Sequence, residues 1–320
     1  MTIPSEDAIL SFWPKNQPPR ISVCCTTFNQ VDYVADCIKG FLIQKTDYPF
    51  EILIHDDAST DGTSEIIKTY QRSYPNILHV IIQEENQYSK GVKVARETIW
   101  SEAKGEYIAL CEGDDYWVDE KKLQKQLNAM IEHDYLDFSF HNYWELNPMG
   151  ELSPSRHLDT ELKIFDVSEI IRGGGLRFQG YGTLITTASI MVKSKTLKEL
   201  PEWFNHTPVS DYFIQVIGSV HGALYLPDKM SVYRTLTPGS WSIVFKAKSM
   251  KSLDQHFKKM DSSMLSLSSF VGERYKADIN YQRCMLFLSG VKNSIRKGSF
   301  SSFVYYLFNT MISLIKSFAK

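Results

Sequence analysis

Gly105-Glu106-Tyr107-Ile108-Ala109-Leu110-Cys111-Glu112-Gly113-Asp114-Asp115-Tyr116-Trp117 is a β-rich run that stops on a cluster of carboxylates. The same device occurs upstream, where strand-like residues 50–55 give way to Asp56-Asp57 and a polar stretch through Thr63. Two further β-rich runs lie at residues 21–25 and 77–82. Between these runs apolar side chains take helical spacing. Val34, Ile38, Phe41 and Leu42 recur at i, i+4, i+7 and i+8, which puts them on one face. Ile66, Ile67 and Tyr70 mark a second helix, residues 92–103 a third, and Leu123, Leu127, Met130 and Ile131 a fourth. Strands alternating with helices at this pitch predict βαβ units: an α/β fold with a mainly parallel sheet flanked by helices. Ligands of such sheets bind beyond the carboxyl ends of the strands, and both acidic clusters fall there.

Crowded carboxylates repel one another and are costly to keep ionised without a compensating cation. Mg²⁺ and Mn²⁺ prefer oxygen ligands, and Mg²⁺ commonly takes one or two carboxylates plus substrate phosphates. Two acidic strand ends on one rim therefore suit a metal–diphosphate complex. Solvated turn acids are the alternative, since Asp is frequent in loops.

Composition narrows the class. Of 320 residues 43% are apolar and 22% charged, with 17 Gly and 12 Pro, which excludes collagen-like, disordered and disulfide-scaffold chains. Five cysteines are present, and Cys24 and Cys25 are adjacent on a predicted strand. They are read as reduced and buried, which favours the cytosol. No apolar run reaches spanning length, and residues 1–20 carry acids and prolines rather than a signal-peptide pattern. The net charge of −2 hides an asymmetry: residues 241–320 hold 13 Lys+Arg against 4 Asp+Glu, a net of +9, which leaves −11 on the rest. A basic tail on an acidic body points to an anionic partner. Beyond residue 134 the pattern loosens. Strands are expected at 137–144, 183–192, 222–226 and 230–234, a loop at Gly173-Gly174-Gly175, and a helix at 212–220. Helices follow from 243, with a Ser-rich break at 262–269.

Three blocks, Ile21-Ser-Val-Cys-Cys-Thr-Thr-Phe-Asn29, His55-Asp-Asp-Ala-Ser-Thr-Asp-Gly-Thr63 and Gly105 to Trp117, resemble the family 2 (GT-A) glycosyltransferases in content, order and separation. The resemblance is specific over about residues 20–135 and looser to about 245. It implies a Rossmann-like GT-A domain over residues 21–242, with a nucleotide-sugar half at 21–135 and an acceptor half at 136–242. Residues 1–20 form an N-terminal extension and 243–320 a helical, basic C-terminal region.

By the same resemblance, Thr27 and Phe28 lie against the nucleotide base, with Thr26 in place of the family's proline. Asp57, with Asp56 beside it, reads base or ribose, and Arg96 matches a basic position near the nucleotide. Glu112-Gly113-Asp114 matches the Asp-X-Asp motif, with Asp114 as ligand of Mn²⁺ or Mg²⁺ and Asp115 assisting. Asp211, in Val209-Ser-Asp-Tyr-Phe213, is the implied base; helix capping by Ser210 or Asp211 is its alternative. Arg234 is implied to neutralise phosphate and Trp241 to stack on a sugar. Many relatives carry a metal-binding histidine two residues after the Tyr-Arg pair; Leu236 stands there.

The implied reaction is inverting transfer from a nucleotide-diphosphate sugar, with a UDP-sugar favoured, to a hydroxyl of a glycan or lipid-linked oligosaccharide. Bacterial surface polysaccharide such as O-antigen or capsule is the implied product. A nucleotidyltransferase would need a glycine-rich basic loop after the first strand, which Thr26 to Gln30 do not supply. A dehydrogenase would need Gly-X-Gly-X-X-Gly there. A non-catalytic sugar- or membrane-binding module on a decayed transferase stays open through Glu112 and Leu236. No nucleic-acid reader motif is present.

Residues 300–320 place Phe303, Leu307, Met311, Leu314, Ile315 and Phe318 on one broad helical face between basic ends. That suits a helix lying on an anionic membrane surface, peripheral on the cytoplasmic face. A helix packed on the protein's own core is the alternative.

Overall fold

A computed structural model describes residues 2–155, 160–173 and 185–318; Gly174, Gly175 and the start of the strand expected at 183–192 lie outside them. The chain packs as two compact units. The first comprises Met1–Ile164, Ile185–Glu199 and Leu224–Thr237, the second Phe165–Leu184, Leu200–Ala223 and Pro238–Lys320.

The sheet is built from β1 (Ile21–Thr27), β2 (Phe50–Asp56), β3 (Leu78–Ile82), β4 (Tyr107–Glu112), β5 (Tyr116–Trp117), β6 (Phe138–Leu146), β7 (Leu152–Pro154), β8 (Lys163–Phe165), β9 (Met191–Lys193) and β10 (Ala223–Arg234). Its order is β3-β2-β1-β4-β9-β6-β10-β5, with β7 on β6 and β8 on β10. The first four strands pair in parallel, as their crossover helices require. Beyond them pairing turns antiparallel: β9 runs against β4 and β6, and β5 against β10.

Parallel strands are covered on both faces and so read as continuous apolar runs. β2 is buried at every position. Val34, Ile38, Phe41 and Leu42, the expected face of the helix Val34–Leu42, are all fully buried. The N-terminal extension contributes to this unit, because the buried Glu6 accepts backbone N–H bonds from Asn76 and Ile77 at 2.7 and 3.1 Å. All five cysteines are free and buried.

Three local expectations are corrected. Residues 222–226 and 230–234 form one strand, β10, rather than two. Within 183–192 the described residues form a 3₁₀ turn, Thr187–Ser189, before the three-residue β9. The Ser-rich segment does not interrupt its helix, which runs unbroken over Met250–Val271. Ser263 and Ser266 return their hydroxyls to carbonyls one turn back, at 2.8 and 3.3 Å, so the helix continues through them.

In the second unit three long helices, Met250–Val271, Lys276–Arg296 and Phe300–Phe318, dominate. No helix among the described residues is long and apolar enough to cross a membrane.

Candidate active site

The carboxyl ends of three adjacent strands coincide. Thr27 of β1 stands opposite Asp56 of β2, and Thr26 opposite Glu112 of β4. On one side of β1 the Asp57 N–H donates to the Thr27 carbonyl at 3.0 Å; on the other the Gly113 N–H donates to the Thr26 carbonyl at 3.0 Å. The two acidic turns therefore leave the sheet at the same level on either side of β1, and share one rim.

Asp56 is fully buried. One of its oxygens accepts from the Ser59 N–H and hydroxyl, the other from the Ser64 hydroxyl. Its lone pairs hold the turn that follows β2. Asp57, 5% exposed, accepts backbone N–H bonds from Gln87 at 2.8 Å and Tyr88 at 3.0 Å, which fixes the loop beyond β3. His55 beside them is buried with neither ring nitrogen partnered among the described residues, and burial pushes its pKa down against the pull of Asp57 and Asp56.

The loop after β1 is laced to the same turn. Asn29 accepts from the Thr60 N–H, its own N–H donates to Ser59, and the Val31 N–H donates to Asp61. Thr27 is buried and donates to Gln30 Oε1 at 2.7 Å. Phe28 projects from this loop and is 45% exposed. Arg96 lies in a π-helical stretch, Ala95–Trp100, a rare geometry that recurs at functional sites.

The turn after β4 is held from β10. The Arg234 N–H donates to Asp115 Oδ1 at 2.8 Å, and its guanidinium reaches the Asp114 carbonyl and Asp36 Oδ2, each at 2.7 Å. That guanidinium sits 4.4 Å from the Tyr116 ring centre and 5.1 Å from that of Tyr33. Arg234, expected to neutralise phosphate, is thus engaged by the protein itself and positions the acidic turn.

Thr237 donates its hydroxyl to Asp114 Oδ2 at 2.8 Å; among the described residues Asp114 Oδ1 takes no hydrogen bond. Asp115 is 1% exposed, and among the described residues its Oδ2 has no partner. Burial, and then the neighbouring Asp114, push its pKa well up. Tyr233 faces the same acids; burial and the charges of Asp115, Glu112 and Asp114 push its phenol up. Sequence reasoning missed Thr237, Gln30 and Asp36, for which no local pattern signals a contact.

The oxygen donors fit a hard divalent cation. One open carboxylate oxygen, with a second buried and orphaned nearby in sequence, suits a cation that shares its shell with substrate oxygens. Among the described residues no group of three or more His, Cys, Asp or Glu could by itself hold a metal. Leu236, at the position of the family's histidine, has φ 57° and is 45% exposed. Asn29 and Ala58 also have positive φ, at 50° and 64°. Left-handed backbone in a leucine is unfavourable, and such conformations gather at functional sites.

Gly113 is closely packed against the loop after β1. A Cβ there would stand 2.4 Å from Gln30 Oε1 and 2.7 Å from Thr27 Oγ1. Gly113→Ala is expected to cost about 1–3 kcal/mol through overpacking. A lowered Tm by scanning fluorimetry, with weakened donor binding, checks it.

In the second unit Asp211 opens the helix Asp211–Gly218, exposed at the head of an otherwise buried segment. Among the described residues Ser210 makes no side-chain cap bond. Trp241 is 46% exposed and stacks on Phe245 at 4.6 Å. His256 lies 4.9 Å from the same ring; burial, then Lys248 and Lys259, push its pKa down to about 4.

An uncharacterized Mycobacterium tuberculosis protein is 31% identical over 222 residues, 69% of this chain and 60% of that protein. The Escherichia coli UDP-Glc:alpha-D-GlcNAc-diphosphoundecaprenol beta-1,3-glucosyltransferase WfaP is 36% identical over 124 residues, 39% of this chain and 46% of its own. The chain thus spans less than two thirds of these relatives. Among solved structures, S. aureus TarS 1–349 in complex with UDP-GlcNAc shares the fold, with a TM-score of 0.63 at 17% identity, covering 92% of this chain and 81% of that one. The Pyrobaculum calidifontis mannosyltransferase PcManGT in complex with GDP-Man and Mn²⁺ gives 0.53 at 14% identity, covering 94% and 86%. The model of glycosyl transferase family 2 matches residues 22–189, over half the chain. With a GT-A sheet and two acidic turns on one rim, the chain belongs to glycosyl transferase family 2.

Proposed function

We propose that the protein transfers a sugar from a UDP-sugar to a hydroxyl of a glycan or lipid-linked acceptor in surface-polymer synthesis, with inversion, at the cytoplasmic face of a membrane. The observation that carries this reading is the shared rim: Thr27, Asp57, Glu112 and Asp114 stand at the carboxyl ends of neighbouring strands. The names of WfaP and the UDP-GlcNAc complex of TarS support the donor class.

Phe28 packs against the base, Asp57 hydrogen-bonds base or ribose, and Arg96 faces the nucleotide. Asp114 would hold Mn²⁺ or Mg²⁺, with Asp115 assisting. Bound there, the cation offsets the charge that grows on the departing diphosphate. Arg234 and Thr237 hold Asp114 in place, so that little reorganisation is required when charge develops. Trp241 offers its face to a sugar. Asp211 accepts the proton of the acceptor hydroxyl as that oxygen attacks the anomeric carbon and the diphosphate leaves from the opposite side.

Thermal shift against a panel of nucleotide sugars with Mn²⁺ tests the donor, since a tight ligand raises stability by mass action. A UDP-sugar is expected to stabilise most, and release of UDP with acceptor glycan to follow. Donor binding without turnover for any acceptor hydroxyl would point to the non-catalytic module; no response to any nucleotide sugar would overturn the reading.

A further inference from the structure

The last helix is inside out. The residues that Phe300–Phe318 buries are Ser302, Tyr306, Thr310 and Ser313, with no aliphatic side chain among them. Opposite, Phe300, Val304, Phe308, Met311, Ile315 and Phe318 recur at three- and four-residue steps and are all exposed, Phe318 by 79% and Ile315 by 69%. Such spacing aligns them along one side of a rod about 28 Å long.

The buried side is well made. Ser302 and Tyr306 donate their hydroxyls to Asp254 at 3.0 and 2.6 Å, and Thr310 returns its own to the Tyr306 carbonyl at 2.8 Å. Gly290 of the preceding helix lets Tyr306 in, since a Cβ there would stand 2.5 Å from the ring. Apart from the Tyr306 ring, which packs on Phe257 and Phe287, polar and small groups of this helix face inward while its greasy side chains point away, which is the arrangement of helices packed in lipid. An ordinary surface helix does the reverse. Within the second unit this apolar face is turned outward.

We propose that this exposed face of Phe300–Phe318 docks on an anionic lipid bilayer, with the helix lying along the surface. Charge selects the occupant. Residues 279–320 contain six Lys+Arg and no Asp or Glu. A second copy of the chain would bring like charge against like, whereas acidic headgroups complement Lys292, Arg296, Lys297 and Lys316. The helix is not apolar enough to cross. The inference goes beyond the transfer reaction and does not depend on it.

Co-sedimentation of the full chain with phosphatidylglycerol-containing vesicles, and with pure phosphatidylcholine, tests it. The chain is expected to pellet with the first and at least tenfold less with the second. The double variant Phe308→Glu/Ile315→Glu is expected to lose at least tenfold of the bound fraction with an unchanged Tm. Donor-induced thermal shift, read in parallel, stays as in the parent and keeps this result separate from the transferase reading. Failure to pellet, equal pelleting of the variant or with neutral vesicles, or a lipid-free dimer dissolved by the two substitutions would overturn the proposal.

Discussion

Asp114→Ala is expected to lower sugar transfer by about 10²–10³-fold, the loss of several kcal/mol of stabilisation of charge developing on the diphosphate. The reasoning starts from how that carboxylate is held. Its carbonyl is fixed by Arg234 at 2.7 Å and its Oδ2 by Thr237 at 2.8 Å, while Oδ1 carries no hydrogen bond among the described residues. Alanine removes the open oxygen and leaves the backbone contact to Arg234 intact, so the turn keeps its course. Folding stability should change by only about 1 kcal/mol, for one lost hydrogen bond. The measurement is initial rate of UDP release at saturating Mn²⁺, with Tm read alongside. Affinity for UDP plus Mn²⁺ is expected to fall as well, because metal and diphosphate bind as one unit. A variant within threefold of the parent would remove Asp114 from the proposed role.

Asp211→Asn should give a different signature. A carboxylate at the first position of a helix is favoured by the dipole, and asparagine, of nearly equal size, keeps the start of Asp211–Gly218 with the loss of a few tenths of a kcal/mol. What it loses is basicity. General-base catalysis contributes about 10²–10⁴-fold, so kcat should drop by that factor while the dissociation constant for UDP-sugar stays within about twofold. The pairing matters: reduced kcat with intact donor affinity marks a group acting on the acceptor hydroxyl. Turnover surviving in the variant would move the base elsewhere, and weakened donor binding would make Asp211 a donor-site residue.

How much of this was legible beforehand follows the range of the interactions. Helical spacing found the buried face Val34, Ile38, Phe41 and Leu42, and acid-terminated strands found the rim, because both are local patterns. The contacts of Arg234 were not legible: its partners Asp36, Asp114 and Asp115 lie 119 to 198 positions away in the chain, and a lone arginine on a strand has no periodicity. Asp56 and Asp57 look alike in sequence, yet the first accepts from two serines of its own turn and the second from the backbone of the loop beyond β3. The C-terminal helix shows a subtler limit. Ser302, Thr310 and Ser313 carry no apolar signal, yet they lie on the side that packs, and only the neighbouring helices reveal which side is inward.

The clamp of β10 on the acidic turn also orders events during synthesis. Glu112 to Asp115 leave the ribosome well over a hundred residues before Arg234 and Thr237, so the first parallel strands can pair while the turn still lacks its fastenings. The geometry of the acidic turn is thereby completed by the final strand rather than by the motif that gives the rim its charge.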